Sequence, residues 1–162
     1  SLLAKGNPIL VEDYASDFIT ALDDENSVVK ANVSYVLGFI GAKDPDKVKI
    51  VIPKLIELLG SEPMLKENAA YALALIGTKD PEAIDDAVPE LLKMVTDQRD
   101  EIRAASACAL GVSCNPQAAK PLKKLLEDSA IINLLNPEAG TLTASTVSDV
   151  AKKYIKKRKD KY

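Results

Sequence analysis

The chain has 162 residues, 47% hydrophobic and 28% charged with a formal net charge of −3, a balance that suits one packed soluble domain and excludes wholesale disorder. The apolar share is mostly Ala, Val, Leu and Ile, with two Phe, five Tyr and no Trp, so an aliphatic core is expected and base-stacking aromatics are few. Histidine is absent, which removes His-based acid–base catalysis, Ser-His-Asp triads and His-ligated metals together.

The start, Ser1-Leu2-Leu3-Ala4-Lys5, lacks the apolar stretch of a signal peptide, and no run approaches the roughly twenty residues of a membrane span, so a cytoplasmic protein is expected. Beginning at Ser rather than Met reads as a chain processed or cut from a longer one. Residues 8–22 then place Ile9, Leu10, Tyr14, Phe18, Ile19 and Leu22 at core-like helical spacing.

Beyond that helix the sequence repeats. Tyr35-Val36-Leu37-Gly38-Phe39-Ile40-Gly41 aligns with Tyr71-Ala72-Leu73-Ala74-Leu75-Ile76-Gly77 at an offset of 36, and both run into a Lys-Asp-Pro stretch. Upstream, Val29-Lys30-Ala31-Asn32 falls on Leu65-Lys66-Glu67-Asn68. A third copy, Ile102-Arg103-Ala104-Ala105 into Cys108-Ala109-Leu110-Gly111, follows at an offset of 37. Each copy opens with a helix rich in Ala, Ser and Gly, whose small side chains let neighbouring axes approach closely. Gly41 and Gly77 sit where a left-handed glycine would end it, and Cys114 stands at that place in the third copy.

Asp44-Pro45, Asp80-Pro81 and Asn115-Pro116 each put a capping side chain before a proline suited to the first helical position, so a second helix is expected after each. Pro53 and Pro89 lie too deep for that first turn and predict a kink or a short helical turn ahead of the main segment. Leu55, Ile56, Leu58 and Leu59, matched by Leu91, Leu92, Met94 and Val95 and by Leu122, Leu125 and Leu126, form the core stripe of the second helices. Residues 128–140 depart from the repeat and read as including a loop. A last helix over about 146–159 turns Val147, Val150, Ala151, Tyr154 and Ile155 inward as a cap.

This unit of about 36 residues, with Val/Leu/Ile-Lys/Arg before an Ala-rich helix, a turn of the Gly-x-x-Asp-Pro type and a Pro-x-Leu second helix, resembles HEAT repeats over roughly residues 8–127. The resemblance implies an all-α, right-handed α-α superhelix. It would hold a half-repeat at 8–22, repeats at about 23–59, 60–95 and 96–127, and an irregular segment with a basic cap at 128–162. It also implies that the second helices line a concave surface, which would place Lys54, Glu57, Glu90, Lys93, Lys123 and Lys124 on the inner face as candidate contacts for a protein or peptide partner.

The C-terminal helix carries a second candidate. Lys152, Lys153, Lys156, Lys157, Arg158, Lys159 and Lys161 are seven of the 21 basic residues, beside a single acid, Asp160; the tail is +6 and the remainder −9. Such a cluster is either a handle for nucleic acid, an anionic membrane or an acidic partner, or a solubilising end that complements the helix dipole. Lys30, Lys66 and Arg103 occupy matching positions and are read as links to the acidic turns Asp23-Asp24-Glu25, Glu62 and Asp97, with Asn32 and Asn68 hydrogen-bonding backbone between helices. Cys108 and Cys114 are six apart, on different faces of a helix, and read as small core residues rather than a disulfide or metal pair.

Enzymes built from similar repeats are disfavoured residue by residue. A di-iron hydroxylase implies His ligands and a DNA-alkylation glycosylase implies a Trp-lined cleft, and neither residue type occurs; a bilin lyase needs a tetrapyrrole cleft that nothing in the sequence marks. No phosphate-binding glycine loop is present. The reading is a non-catalytic scaffold or adaptor without cofactor or metal, with pairing through the stack's open ends as a route to a homodimer.

Overall fold

The computed structural model describes residues 14–113, 115–135 and 142–159. Helix α1, Ala15–Ala21, leads into a tight acidic turn in which Asp24 accepts the Asn26 amide at 2.7 Å and Asn26 in turn accepts that of Val28 at 2.8 Å. The second bond is the N-cap that starts α2, Ser27–Lys43. Ile9 and Leu10, expected on the first helix, lie outside the described residues, as does Cys114.

Three helical pairs follow from one local logic. After α2, Asp44 turns extended and caps a 3-10 turn, Pro45–Lys47, which is followed by a second turn, Lys49–Val51, and then α3, Ile52–Leu58. The next pair is α4, Pro63–Gly77, a 3-10 segment, Glu82–Ala87, and α5, Val88–Met94. The third is α6, Asp100–Val112, a turn, Pro116–Ala118, capped by Asn115, and α7, Ala119–Lys124. Pro53 and Pro89 each fall in the first turn of their α-helix, where a missing N–H leaves no bond unmade. The 3-10 turns ahead of them absorb the remainder of each second helix.

The first helices form one layer, α2 on α4 on α6, and each second helix packs beneath. Leu37, Leu73 and Leu110 make a fully buried row in the first layer, and Leu55, Leu91 and Leu122 another in the second. Glycine serves the packing of the first layer. A Cβ on Gly38 would stand 2.7 Å from the Ala72 Cα, and one on Gly41 would meet Val48 Cγ2 at 2.6 Å. This corrects the expected role of Gly41 and Gly77: α2 runs on to Lys43, and α4 is followed by Thr78 in the right-handed helical region, so both glycines are helical and are needed for close approach rather than for a left-handed stop.

The irregular segment contains a hairpin that the sequence reading missed. β1, Ile131–Leu135, pairs antiparallel with β2, Leu142–Thr146, in the register Ile131↔Thr146 to Leu135↔Leu142. Ile132 is buried and β1 lies against α6. At the end of β2, Thr146 accepts the Asp149 amide at 3.0 Å while its hydroxyl donates to the Asp149 carboxylate at 2.8 Å, a reciprocal cap that starts α8, Val147–Lys159. Helix α8 covers α6 with Val147, Val150 and Ala151 buried and Tyr154 and Ile155 packed at the edge, so the first layer has four members.

Candidate interaction surface

The row of second helices carries the candidate ridge. Lys54 and Glu57 stand on α3 one turn apart, at 3.4 Å, and Lys54 also reaches Asp23 of the turn after α1 at 3.5 Å. Glu57, and after it Asp23, holds the Lys54 ammonium above its ordinary range. Glu90 and Lys93 repeat the pairing on α5 at 2.6 Å, with the two signs exchanged along the helix. Lys123 and Lys124 are exposed on α7, and among the described residues neither forms an ion pair. The structure therefore divides the six residues into two self-compensated pairs and two uncompensated cations.

On α8, Lys152, Lys153 and Lys156 are exposed. Lys152 pairs with Asp149 at 3.3 Å, and Lys153 lies 5.8 Å from the centre of the Tyr154 ring. Lys157, Arg158 and Lys159 belong to the same helix, their side chains outside the described set.

Two of the three expected rungs of the cation ladder, Lys66 and Arg103, are structural links, and the third, Lys30, does not reach an acidic turn among the described residues. Lys66 reaches Asp97, in the turn before α6, at 3.6 Å, and so ties one pair to the next. Arg103 makes a fuller clamp: it donates to the Asp97 carbonyl at 2.9 Å and the Gln98 carbonyl at 3.1 Å, to Asp100 at 2.7 Å and to both oxygens of Asp128. Asp128 and Asp100 hold the guanidinium firmly charged, and Arg103 holds the Asp128 carboxyl below the usual carboxylate range. Ser61 occupies the place that corresponds to Asp97, and Lys30 has no ion pair among the described residues. The two asparagines do not bridge helices: Asn32 donates to the Val28 carbonyl and Asn68 to that of Met64, each at 2.8 Å and within its own helix. Both lie toward the outer surface, and a turn-back to position i−4 satisfies the amide there. A buried side chain that crosses between pairs is Ser106, whose hydroxyl donates to the Leu91 carbonyl at 2.8 Å.

Cys108 is buried beside Tyr71 and Tyr154, and burial pushes its thiol up to about 11, which leaves it inert rather than nucleophilic. Burial likewise raises both tyrosines, and Glu67, whose carboxyl also feels Glu101. Among the described residues no group of three Cys, Asp or Glu side chains could hold a metal ion, and no helix is long and apolar enough to cross a membrane.

A family model, HEAT repeats, matches residues 52–132, half of the chain. The chain belongs to the HEAT-repeat family. Repeats of this family generally serve as scaffolds for protein interaction. The helical stack is also similar to the crystal structure of an engineered protein, a target of the Northeast Structural Genomics Consortium, with a TM-score of 0.65 and 23% identity over 90% of this chain. The HEAT-repeat chain covers 62% of that protein's length, and the likeness is one of fold. No curated protein matches the sequence.

Proposed function

We propose that the chain is a non-catalytic scaffold that holds a protein or peptide partner across its second helices, with Lys54, Glu57, Glu90, Lys93, Lys123 and Lys124 as contact residues. The repeats behind this reading are 23–59, 60–95 and 96–127. The observation that carries it is the division of labour between layers: each inner first helix is sandwiched between two neighbours, while α3, α5 and α7 present charged side chains at corresponding turns. Stacked units of this kind create an extended surface suited to a helix or an extended peptide. The charge pairs on α3 and α5 would re-pair with a partner, which favours specificity over raw affinity.

The test is selection of peptides from a display library on the full chain, followed by affinity measurement on the Glu57→Lys/Lys93→Glu double variant. Selected peptides weakened about tenfold or more support the ridge. Unchanged affinity for all of them overturns it. The second reading, nucleic-acid binding through Lys152, Lys153 and Lys156, is favoured by their exposure and is opposed by the net charge of −9 outside the tail.

A further inference from the structure

We infer that the C-terminal end of the stack is a docking surface for an acidic peptide segment, built jointly by α7 and α8. This deepens the ridge reading and rests on it for Lys123 and Lys124, which belong to both.

The two helices meet in the fold although some twenty residues separate them. Helix α8 packs on α7 and on the 3-10 turn Leu125–Glu127. Ser148 fixes the junction, its hydroxyl donating to the Leu126 carbonyl at 2.6 Å and its amide to that of Asp128 at 2.8 Å. What the sequence presents as two separate basic features thus lies on two helices in contact, with Lys120, Lys123 and Lys124 exposed on α7 and Lys152, Lys153 and Lys156 exposed on α8.

The nearby acids are largely spent. Asp128 is held by Arg103, and Asp149 by Thr146 and Lys152. Glu127 remains, and among the described residues Lys120, Lys123, Lys124, Lys153 and Lys156 have no carboxylate partner. Elsewhere on the ridge Lys54 and Lys93 are neutralised within 3.5 Å. The uncompensated positive charge of the second-helix face therefore collects at this end.

Size and chemistry select a peptide among anions. From Val147 to Lys156 α8 rises about 15 Å, enough to follow four or five extended residues. A longer polyanion would run on over a body of net charge −9. The cations placed on this surface are lysines, compact point charges that suit single carboxylates rather than the planar, two-point recognition an arginine gives phosphate. Tyr154, the aromatic of the described part of α8, is half-buried, with its side chain against Gly111 and Lys153 near its ring, so it is engaged within the stack rather than presented as a stacking platform.

The experiment measures fluorescein-labelled hexaglutamate binding to the full chain by anisotropy at low and moderate salt. A Gly-Ser hexapeptide and a single-stranded oligonucleotide of the same charge are the comparison probes. The variants are Lys120→Gln/Lys123→Gln/Lys124→Gln, Lys152→Gln/Lys153→Gln/Lys156→Gln and Glu57→Lys/Lys93→Glu, each checked for native helicity. Both lysine triples should weaken hexaglutamate about fivefold or more, salt should weaken it further, and the ridge double variant should stay within about twofold. Hexaglutamate no tighter than Gly-Ser, indifference to the α7 triple, or tighter binding of the oligonucleotide each overturns the inference. Failure of the ridge reading is separate: it appears as display-selected peptides indifferent to Glu57→Lys/Lys93→Glu, whatever hexaglutamate does.

Discussion

Arg103 on α6 and Asp128, just before β1, form a two-point ion pair, with Nε to Oδ2 at 2.6 Å and Nη2 to Oδ1 at 3.2 Å. Both side chains are mostly shielded from water, and Asp128 further accepts the Ala130 amide at 3.1 Å. The pair holds the entry to the hairpin against the first layer. Asp128→Asn should therefore lower stability by about 2 kcal/mol. Because the folded carboxyl titrates below its unfolded value of about 3.9, its contribution is complete above roughly pH 5 and fades as pH falls through the folded value. Urea midpoints of wild type and variant should differ at pH 7 and converge toward pH 3; a constant gap would contradict the assignment.

Close approach of α2 and α4 depends on the missing side chain of Gly38. Alanine normally favours a helix interior by about 1 kcal/mol over glycine, yet Gly38→Ala should destabilise by about 2 kcal/mol, since the obstacle at 2.7 Å is backbone and cannot swing aside. Gly60→Ala, with its nearest atom, the Glu57 carbonyl, at 3.5 Å, should stay within about 0.5 kcal/mol. Thermal denaturation of the two variants decides the matter.

Ser61 leaves the first rung of the cation ladder incomplete. Ser61→Asp should pair with Lys30 as Asp97 pairs with Lys66 and add about 0.5 kcal/mol, an effect cancelled in the Lys30→Ala background. A double-mutant cycle with zero coupling would show that the rung does not form.

The thiol of Cys108 should resist alkylation. With its pKa pushed up to about 11, about one thiol in a thousand is ionised at pH 8, and the side chain is buried. Peptide mapping after iodoacetamide should show modification at least about a hundredfold slower in native than in urea-unfolded protein. Tyr154→Ala, which uncovers the thiol, should speed it; equal rates would mean that α8 does not cover Cys108.

Much of the stack was legible because repetition amplifies weak local signals. Leu37, Leu73 and Leu110, spaced by 36 and 37, are each fully buried, and Asp44 and Asn115 cap as their prolines announce. Glycine was misread at Gly41 because one residue type serves both a left-handed stop and a helix crossing, and only the neighbour's position tells them apart. The hairpin escaped because Ile131 and Ile132 suit a strand or a helix equally until Ser145 and Thr146 are seen opposite them. On the ridge, the Glu90–Lys93 pair could have been anticipated from its spacing of three, whereas Lys54 with Asp23 and the meeting of α7 with α8 depend on the tertiary fold.

Helix α8 occupies the side of α6 that the next first helix would use, and the side chain of Tyr154 lies against Gly111 there. Further units can thus be spliced in between existing ones, where each junction repeats the last, whereas a unit stacked directly on α6 would have to displace α8 from its seat. An engineer lengthening this stack would duplicate residues of the α4–α5 pair and carry α6 through α8 along unchanged.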